Sequence, residues 1–375
     1  MFTKEALQRI IRGTVVPAVI VCTLLVINKN PITSASQISP SLLPGPEFQK
    51  GVCYVTWERD KYLSKFSDAS LERLTKTGTN WISIVVTWYQ DDPRGPGIKA
   101  LDKTPSDKSI KHAIAKAHRL GFKVMLKPHV DLDGCDPGEW RGDICQNTPE
   151  RWKEWFDNYE TFITKYAKIA QAAGAEMFCV GTELALTSDR TYEWLGIIEA
   201  VRERYNGPLT YAAHWDEEFR NIQFWQKLDY VGIDAYFPLS QKEDPSFEEI
   251  KAGWQRWIDV LEPWAESIGK PVLFTEAGYS SSPGAARSPW EERMPGSADL
   301  ELQKNCYQAL FEILWQKKWF TGIYWWRWNT NARAGGCHNK GFTPQNKPAE
   351  EVLTTWYKKR HPKEGPPKDG MSFEI

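Results

Sequence analysis

Eight short apolar runs, each followed by a longer stretch with helical spacing or by a long loop, constrain this chain more than any other feature. The strand-like runs are residues 51–57, 81–88, 123–130, 177–183, 209–214, 230–236, 271–276 and 322–328. Helix-like stretches cover 68–77, 107–119, 149–173, 190–205, 245–267, 298–316 and 349–358, with a short, weakly helical piece at 219–227. The strand candidates are continuously apolar rather than alternating, so both of their faces must be covered. A parallel sheet under a layer of helices meets that demand. Eight such units over about 310 residues match an α/β chain folded as a (β/α)8 barrel, a TIM barrel in a single domain. A doubly wound open sheet is the competitor, but no GxGxxG follows the first strand.

Connection lengths give that barrel a direction. The turns from helix into strand, at 120–122, 173–175, 206–208 and 269–271, are short. The loops leaving strands, at 89–106, 131–148, 278–297 and 329–346, are long. Long loops in a compact domain usually carry function, and these lie at the strand C-terminal ends, where barrel enzymes build their sites.

Residues 1–30 stand outside the pattern. Lys4, Arg9 and Arg12 precede an uncharged apolar run at 13–27, which reads as a signal peptide or as a retained signal anchor. Either reading puts the charged N-terminus inside and the rest of the chain across the membrane. The expectation is therefore an exported protein, secreted or tethered by that one segment. Residues 31–47 read as a linker, 48–360 as the barrel domain, and the Pro/Gly/Lys-rich residues 361–375 as a disordered tail. Export would permit a disulfide between Cys135 and Cys145, which share a Gly/Asp-rich loop, two free loop thiols being the alternative. Cys53 and Cys179 sit in apolar strands and read as buried hydrophobes.

Charge and motifs then exclude several functions. With 47 basic against 48 acidic side chains and a net charge of −1, the chain lacks the basic surplus of a nucleic-acid binder. No CxxC pair and no HExxH occurs, and neither metal nor cofactor is expected. Asp131-Leu132-Asp133-Gly134 hints at calcium, but the twelfth position of an EF-hand loop would be Gly142. Gly278-Tyr279-Ser280 runs on into Ser281, so there is no nucleophile elbow. The barrel is expected to be a monomer that meets a membrane only through its N-terminal segment.

The remaining candidates are at the strand ends. The fourth run ends in Glu183 and the seventh in Glu276. Strands four and seven lie nearly opposite in an eight-strand ring, so two carboxylates can converge across the mouth, as glycoside hydrolysis requires. A solvated or salt-bridged Glu at a strand end is the alternative for each. Trp57, Trp88, His129, His214, Trp215, Tyr236 and the cluster from Trp325 to Trp328, with Trp326 and Trp328 as candidates, also fall at strand ends. Aromatic faces suit the C–H face of a pyranose, and the chain spends 19 Trp, 16 Phe and 14 Tyr. Tyr236 is a candidate to hydrogen-bond Glu276.

Gly181-Thr182-Glu183, Phe274-Thr275-Glu276-Ala277-Gly278-Tyr279 and Tyr324-Trp325-Trp326-Arg327-Trp328 resemble glycoside hydrolase family 113. Lys50-Gly51-Val52 and Lys127-Pro128-His129-Val130-Asp131 are similar too, and the likeness runs over roughly the whole predicted barrel. This is a retaining clan A family of (β/α)8 barrels best known for endo-β-1,4-mannanase activity. The resemblance implies Glu183 as acid/base, Glu276 as nucleophile, and a mannan-type polysaccharide or oligosaccharide as substrate. Most of the clan places Asn before the acid/base, where it reads the sugar 2-hydroxyl; here Thr182 holds that place and joins the substrate-binding candidates. Within the class the rivals are a β-glucanase, a transglycosylating mannosidase or another clan A glycosidase. A non-catalytic carbohydrate-binding barrel is the rival outside it.

Overall fold

The computed structural model describes residues 47–364 except 137, 293 and 294. The expected export segment and nearly all of the linker, residues 1–46, lie outside the described residues, as do 365–375 of the expected tail. Eight parallel strands close into one barrel in chain order. They are β1 (Gln49–Val55), β2 (Trp81–Gln90), β3 (Lys123–Leu132), β4 (Met177–Thr182), β5 (Leu209–His214), β6 (Val231–Asp234), β7 (Val272–Ala277) and β8 (Phe320–Asn329). Around them run α1 (Lys65–Leu74), α2 (Asp107–Arg119), α3 (Pro149–Ala173), α4 (Thr191–Arg202), α5 (Glu218–Asn221), α6 (Phe247–Ile268), α7 (Leu300–Leu314) and α8 (Pro348–Lys358).

Local signals explain the helix limits. Thr148 caps α3 by accepting from the Arg151 N–H, Pro149 opens its first turn, and Gly174, at φ 74°, closes it in a conformation costly for other residues. A reciprocal Ser246/Glu249 capping box starts α6.

Strand alternation sorts the side chains into two cores. Cys53, Val55, Trp81, Val85, Met125, Met177, Cys179, Ala212, Leu273 and Tyr324 fill the barrel interior. Val52, Tyr54, Ile82, Ile84, Val124, Leu126, Phe178, Val180 and Trp325 point outward into the layer shared with the helices. The alternation breaks near the strand C-terminal ends. Three residues of β4 (Cys179 to Thr182) span two of β5, β7 gains a residue on β6 between Phe274 and Glu276, and β8 gains one on β1 between Trp325 and Trp328. Each extra residue turns the side chains beyond it to the other face.

Three expectations change. Cys135 and Cys145 are both free thiols, Cys135 Sγ donating to the Asp91 carbonyl at 3.1 Å. His361, expected to open a disordered tail, is buried; it stacks on Phe48 with centroids 3.8 Å apart, and its Nε2 bonds the Trp315 carbonyl at 2.6 Å. Glu364 pairs with Lys50 at 2.7 Å, so the packed domain extends past 360. Strand six is shorter than 230–236, because the Tyr236 N–H turns back to the Asp234 carbonyl. Among the described residues no helix is long and apolar enough to cross a membrane, and no His/Cys/Asp/Glu group is arranged to hold a metal ion.

Candidate active site

A lysine in the middle of an apolar strand needs partners, because a lone buried ammonium loses its hydration without return. Lys127 on β3 has no exposed surface. Its Nζ donates to both oxygens of Asp234, on β6, at 3.1 Å and to Oε1 of Glu276, on β7, at 2.5 Å. The extra residue in β7 sets Thr275 beside Asp234 as well, and its hydroxyl donates to Oδ1 at 2.8 Å. Burial alone would pull the Lys127 pKa down, but Asp234 and Glu276 reverse it and hold the ammonium above the ordinary lysine range. Burial, and then the charge of Glu276, push Asp234 well above the usual carboxylate range. Oε2 of Glu276 accepts from the Tyr236 hydroxyl at 2.7 Å. Both oxygens of Glu276 are therefore engaged as acceptors, which fixes the plane of the carboxylate.

Glu183 sits across the mouth in different surroundings. Its φ is 50°, left-handed and uncommon for a residue with a Cβ. Its N–H is held by the Ala212 carbonyl at 2.8 Å. The bulge that leads into it passes Gly181, where an added Cβ would lie 2.5 Å from the Tyr211 ring and 2.8 Å from Trp194. Only glycine lets β4 approach these rings so closely. Oε2 of Glu183 accepts from Arg141 at 3.3 Å, and the same guanidinium is anchored on Asp131 at 3.1 Å. Burial pushes the Glu183 pKa up to about 7, Arg141 opposes, and the charge of Glu276 adds to the rise.

His129 lies between the two centres. Burial, with Lys127 and Arg141 nearby, lowers its pKa well below the usual value and keeps the ring neutral. Its Nδ1 accepts from Arg141 at 3.4 Å, which assigns the ring proton to Nε2, 3.8 Å from Oε1 of Glu276.

Over these groups opens a cleft of about 610 Å³. Glu183, Glu276, His214, Trp215, Tyr236 and Trp326, all expected at the mouth, line it together. Burial lowers His214 to about 4, so it too is neutral. Trp215 stacks on Trp290, rings 5.4 Å apart and 11° from parallel, and Trp140 leans on His214 at 4.8 Å. His129 lies beneath, parallel to Trp326. Trp57 is exposed at the edge, against Trp326 and over the Arg327 guanidinium.

Five candidates do not line the cleft: Trp57 and His129, described above, and three more. Thr182 is buried, its hydroxyl 3.9 Å from Cys179 Sγ. Trp88 shares the outward face of Ile84 and Val86, packs on Phe162 and donates its indole N–H to the Tyr166 hydroxyl at 2.7 Å. Trp328 is turned outward by the extra residue of β8 and donates to Ser70 Oγ at 3.0 Å.

Conversely, Lys127, Asp234, Arg141, Asp131, Trp140 and Trp290 belong to the site and were not singled out for it by sequence. A charge inside an apolar run was the available signal for Lys127 and Asp234. Arg141, Trp140 and Trp290 stand on the long loops after β3 and β7, where only loop length marked them. The loop after β2 does not line the cleft; it braces the β3 loop, with Pro93 and Gly95 carbonyls accepting from the Cys145 N–H and the Gln146 side chain.

Two carboxylates of unlike environment, facing one cleft walled by aromatic rings, form an arrangement suited to cleaving glycosidic bonds. The family model of Glycoside Hydrolase Family 113 matches residues 53–347. The chain belongs to glycoside hydrolase family 113. A family 113 β-mannanase from Alicyclobacillus acidocaldarius, solved in complex with ManMIm, is similar at 29% identity and a TM-score of 0.75, over 83% of this chain and 97% of that one. A family 113 β-1,4-mannanase solved as a complex is similar at the same identity and TM-score, over 84% of this chain and all of that one. A β-glucuronidase from Ruminococcus gnavus, at 14% identity and a TM-score of 0.57, shares the fold over half its length. Among curated proteins no sequence matches. As a family 113 glycoside hydrolase, the chain acts on a polysaccharide or oligosaccharide.

Proposed function

We propose that the chain is a retaining β-1,4-mannanase acting on mannan-type polysaccharide or oligosaccharide, with Glu276 as nucleophile and Glu183 as acid/base. The observation that carries this reading is the unequal setting of the two carboxylates. Glu276 is held between Lys127 and Tyr236, both donating to it, as suits a group that must react as the anion. Glu183 is buried and raised to about 7, as suits a group that must carry a proton near neutrality. Glu276 attacks the anomeric carbon and forms a glycosyl ester as the C1–O bond breaks, while Glu183 passes its proton to the departing oxygen. Esterification removes the negative charge of Glu276, so Glu183 ionises more readily and stands as a carboxylate able to take a proton from water. That water attacks C1 and frees Glu276 with net retention. The mannan assignment is supported by the two mannanases similar at 29% identity over most of both chains. A polymer of this kind does not cross membranes, which fits the expectation of export from the N-terminal sequence.

Proton NMR of the first-formed anomer tests the mechanism: β product is expected, and α product would overturn double displacement. Glu276→Ala should abolish turnover while sparing oligosaccharide binding. Reducing-sugar release on mannan, glucomannan, β-glucan and xylan tests the substrate; preference for β-glucan, or binding with no release, would overturn the mannanase reading. Product lengths from mannohexaose then separate endo from exo cleavage.

A further inference from the structure

Behind Glu183 lies a second buried carboxylate that the steps above do not use. Glu218 opens the short helix α5 just after β5 and is 5% exposed. Its Oε1 accepts from the Tyr211 hydroxyl at 2.6 Å, and its Oε2 accepts from the His214 N–H at 2.6 Å. The Tyr211 oxygen in turn accepts from the Leu184 N–H at 3.0 Å, so its own proton is directed to Glu218. The chain of bonds ends on the peptide immediately after Glu183. On the other side of Glu183, the Ala212 carbonyl holds its N–H at 2.8 Å. The left-handed residue is thus clamped before and after by two neighbours on β5, one of which is oriented by Glu218. A phenol free to rotate could offer Leu184 a hydrogen instead of a lone pair; the bond to Oε1 of Glu218 draws that hydrogen the other way.

We infer that Glu218 is a positioning residue for the acid/base: through Tyr211 it holds the Leu184 peptide and so fixes the turn that sets Glu183 at the leaving-group oxygen. The inference rests on the reading of Glu183 as the acid. A misplaced acid costs most when the leaving group needs a proton and least when it does not, a signature that loss of packing does not share.

The test compares kcat/KM, which reports glycosylation, on mannooligosaccharides and on an aryl β-mannoside whose phenol leaves unaided. For Glu218→Ala and Tyr211→Phe, kcat/KM on the oligosaccharide should fall roughly tenfold to a hundredfold, while kcat/KM on the aryl substrate is largely kept. Glu218→Gln retains one acceptor and should lose less. Equal losses on both substrates, or none, in folded Tyr211→Phe would overturn the inference; that variant removes one oxygen and can be read even if Glu218→Ala does not fold. Glu183→Ala is the control. If it too fails to discriminate the two substrates, the acid assignment itself falls; if it discriminates and Tyr211→Phe does not, only the role of Glu218 falls.

Discussion

The lower and upper halves of the barrel interior lie on the same strands and the same face, yet they are built for opposite ends. Below are Cys53, Met125, Met177, Cys179, Leu273 and Tyr324, a small, uncharged and largely apolar core that stabilises the ring chiefly by burial. Two residues on from Met125 comes Lys127, and three on from Leu273 comes Glu276, joined with Asp234 into a buried cluster in which desolvation opposes the charge of both Lys127 and Asp234. Such charges are tolerated because they satisfy one another, and each becomes costly once its partner is removed. Desolvated charge is useful only in the upper layer, where a cleft opens above it. Height along a strand, rather than residue type or face, separates the part that holds the fold from the part equipped for chemistry.

The largest effect should come from breaking the upper cluster. Lys127→Met leaves Asp234 and Glu276 facing each other unpaired. It is expected to lower kcat about 10²–10³-fold and to cost about 3–5 kcal/mol in urea unfolding; a variant that keeps both would show the pairing to be dispensable. Leu273→Ala probes the layer below: it should cost about 2–5 kcal/mol of stability while kcat, measured well below its melting temperature, holds. A fall in kcat there would mean the layers are coupled. Tyr236→Phe removes one neutral donor to Glu276, and steady-state kinetics should show a loss of about 1.5–3 kcal/mol in transition-state stabilisation, roughly tenfold to a hundredfold in kcat.

The fourth expectation concerns protons. Glu183 is raised from 4.5 to about 7, so the folded protein holds that proton more tightly than the unfolded chain. Its contribution to stability is present below about pH 4.5 and is lost as pH rises towards about 7. Differential scanning calorimetry should find Glu183→Gln gaining on the wild type over that window, and kcat/KM of the wild type should fall above about pH 7. A pH-independent difference in melting temperature would show that Glu183 is not raised. The smallest effect belongs to Trp88→Phe, which loses the bond to Tyr166 outside the barrel: KM for the polysaccharide or oligosaccharide substrate should not move.

Much of this was legible in the residues. The helical stretches at 107–119 and 149–173 coincide with α2 and α3, and the strand runs lie within a few residues of the observed ones. Glu183, Glu276, His214, Trp215, Tyr236 and Trp326 stand at or beside strand ends in the sequence, and in the fold they line one cleft. Trp88 shows where more could have been read, since it keeps the parity of Ile84 and Val86 and had to face the helices. Trp328 could not be read so, because by strict alternation it shares the face of Trp326. One extra residue, seen only in the pairing with β1, reverses it. Arg141 was silent for another reason: a loop carries no periodicity from which to infer where its side chain goes.

The sequence by itself determined the barrel, its polarity and the strand-end positions of Glu183 and Glu276, because apolar runs and connection lengths act over a few residues. Only the closed structure decided which charges meet. Lys127, Asp234 and Glu276 come from three strands, and Glu183 is held by β5 and by Arg141 from the loop after β3. Those contacts depend on register and on bulges at the rim, which are set by packing across the whole ring, and no local pattern records them.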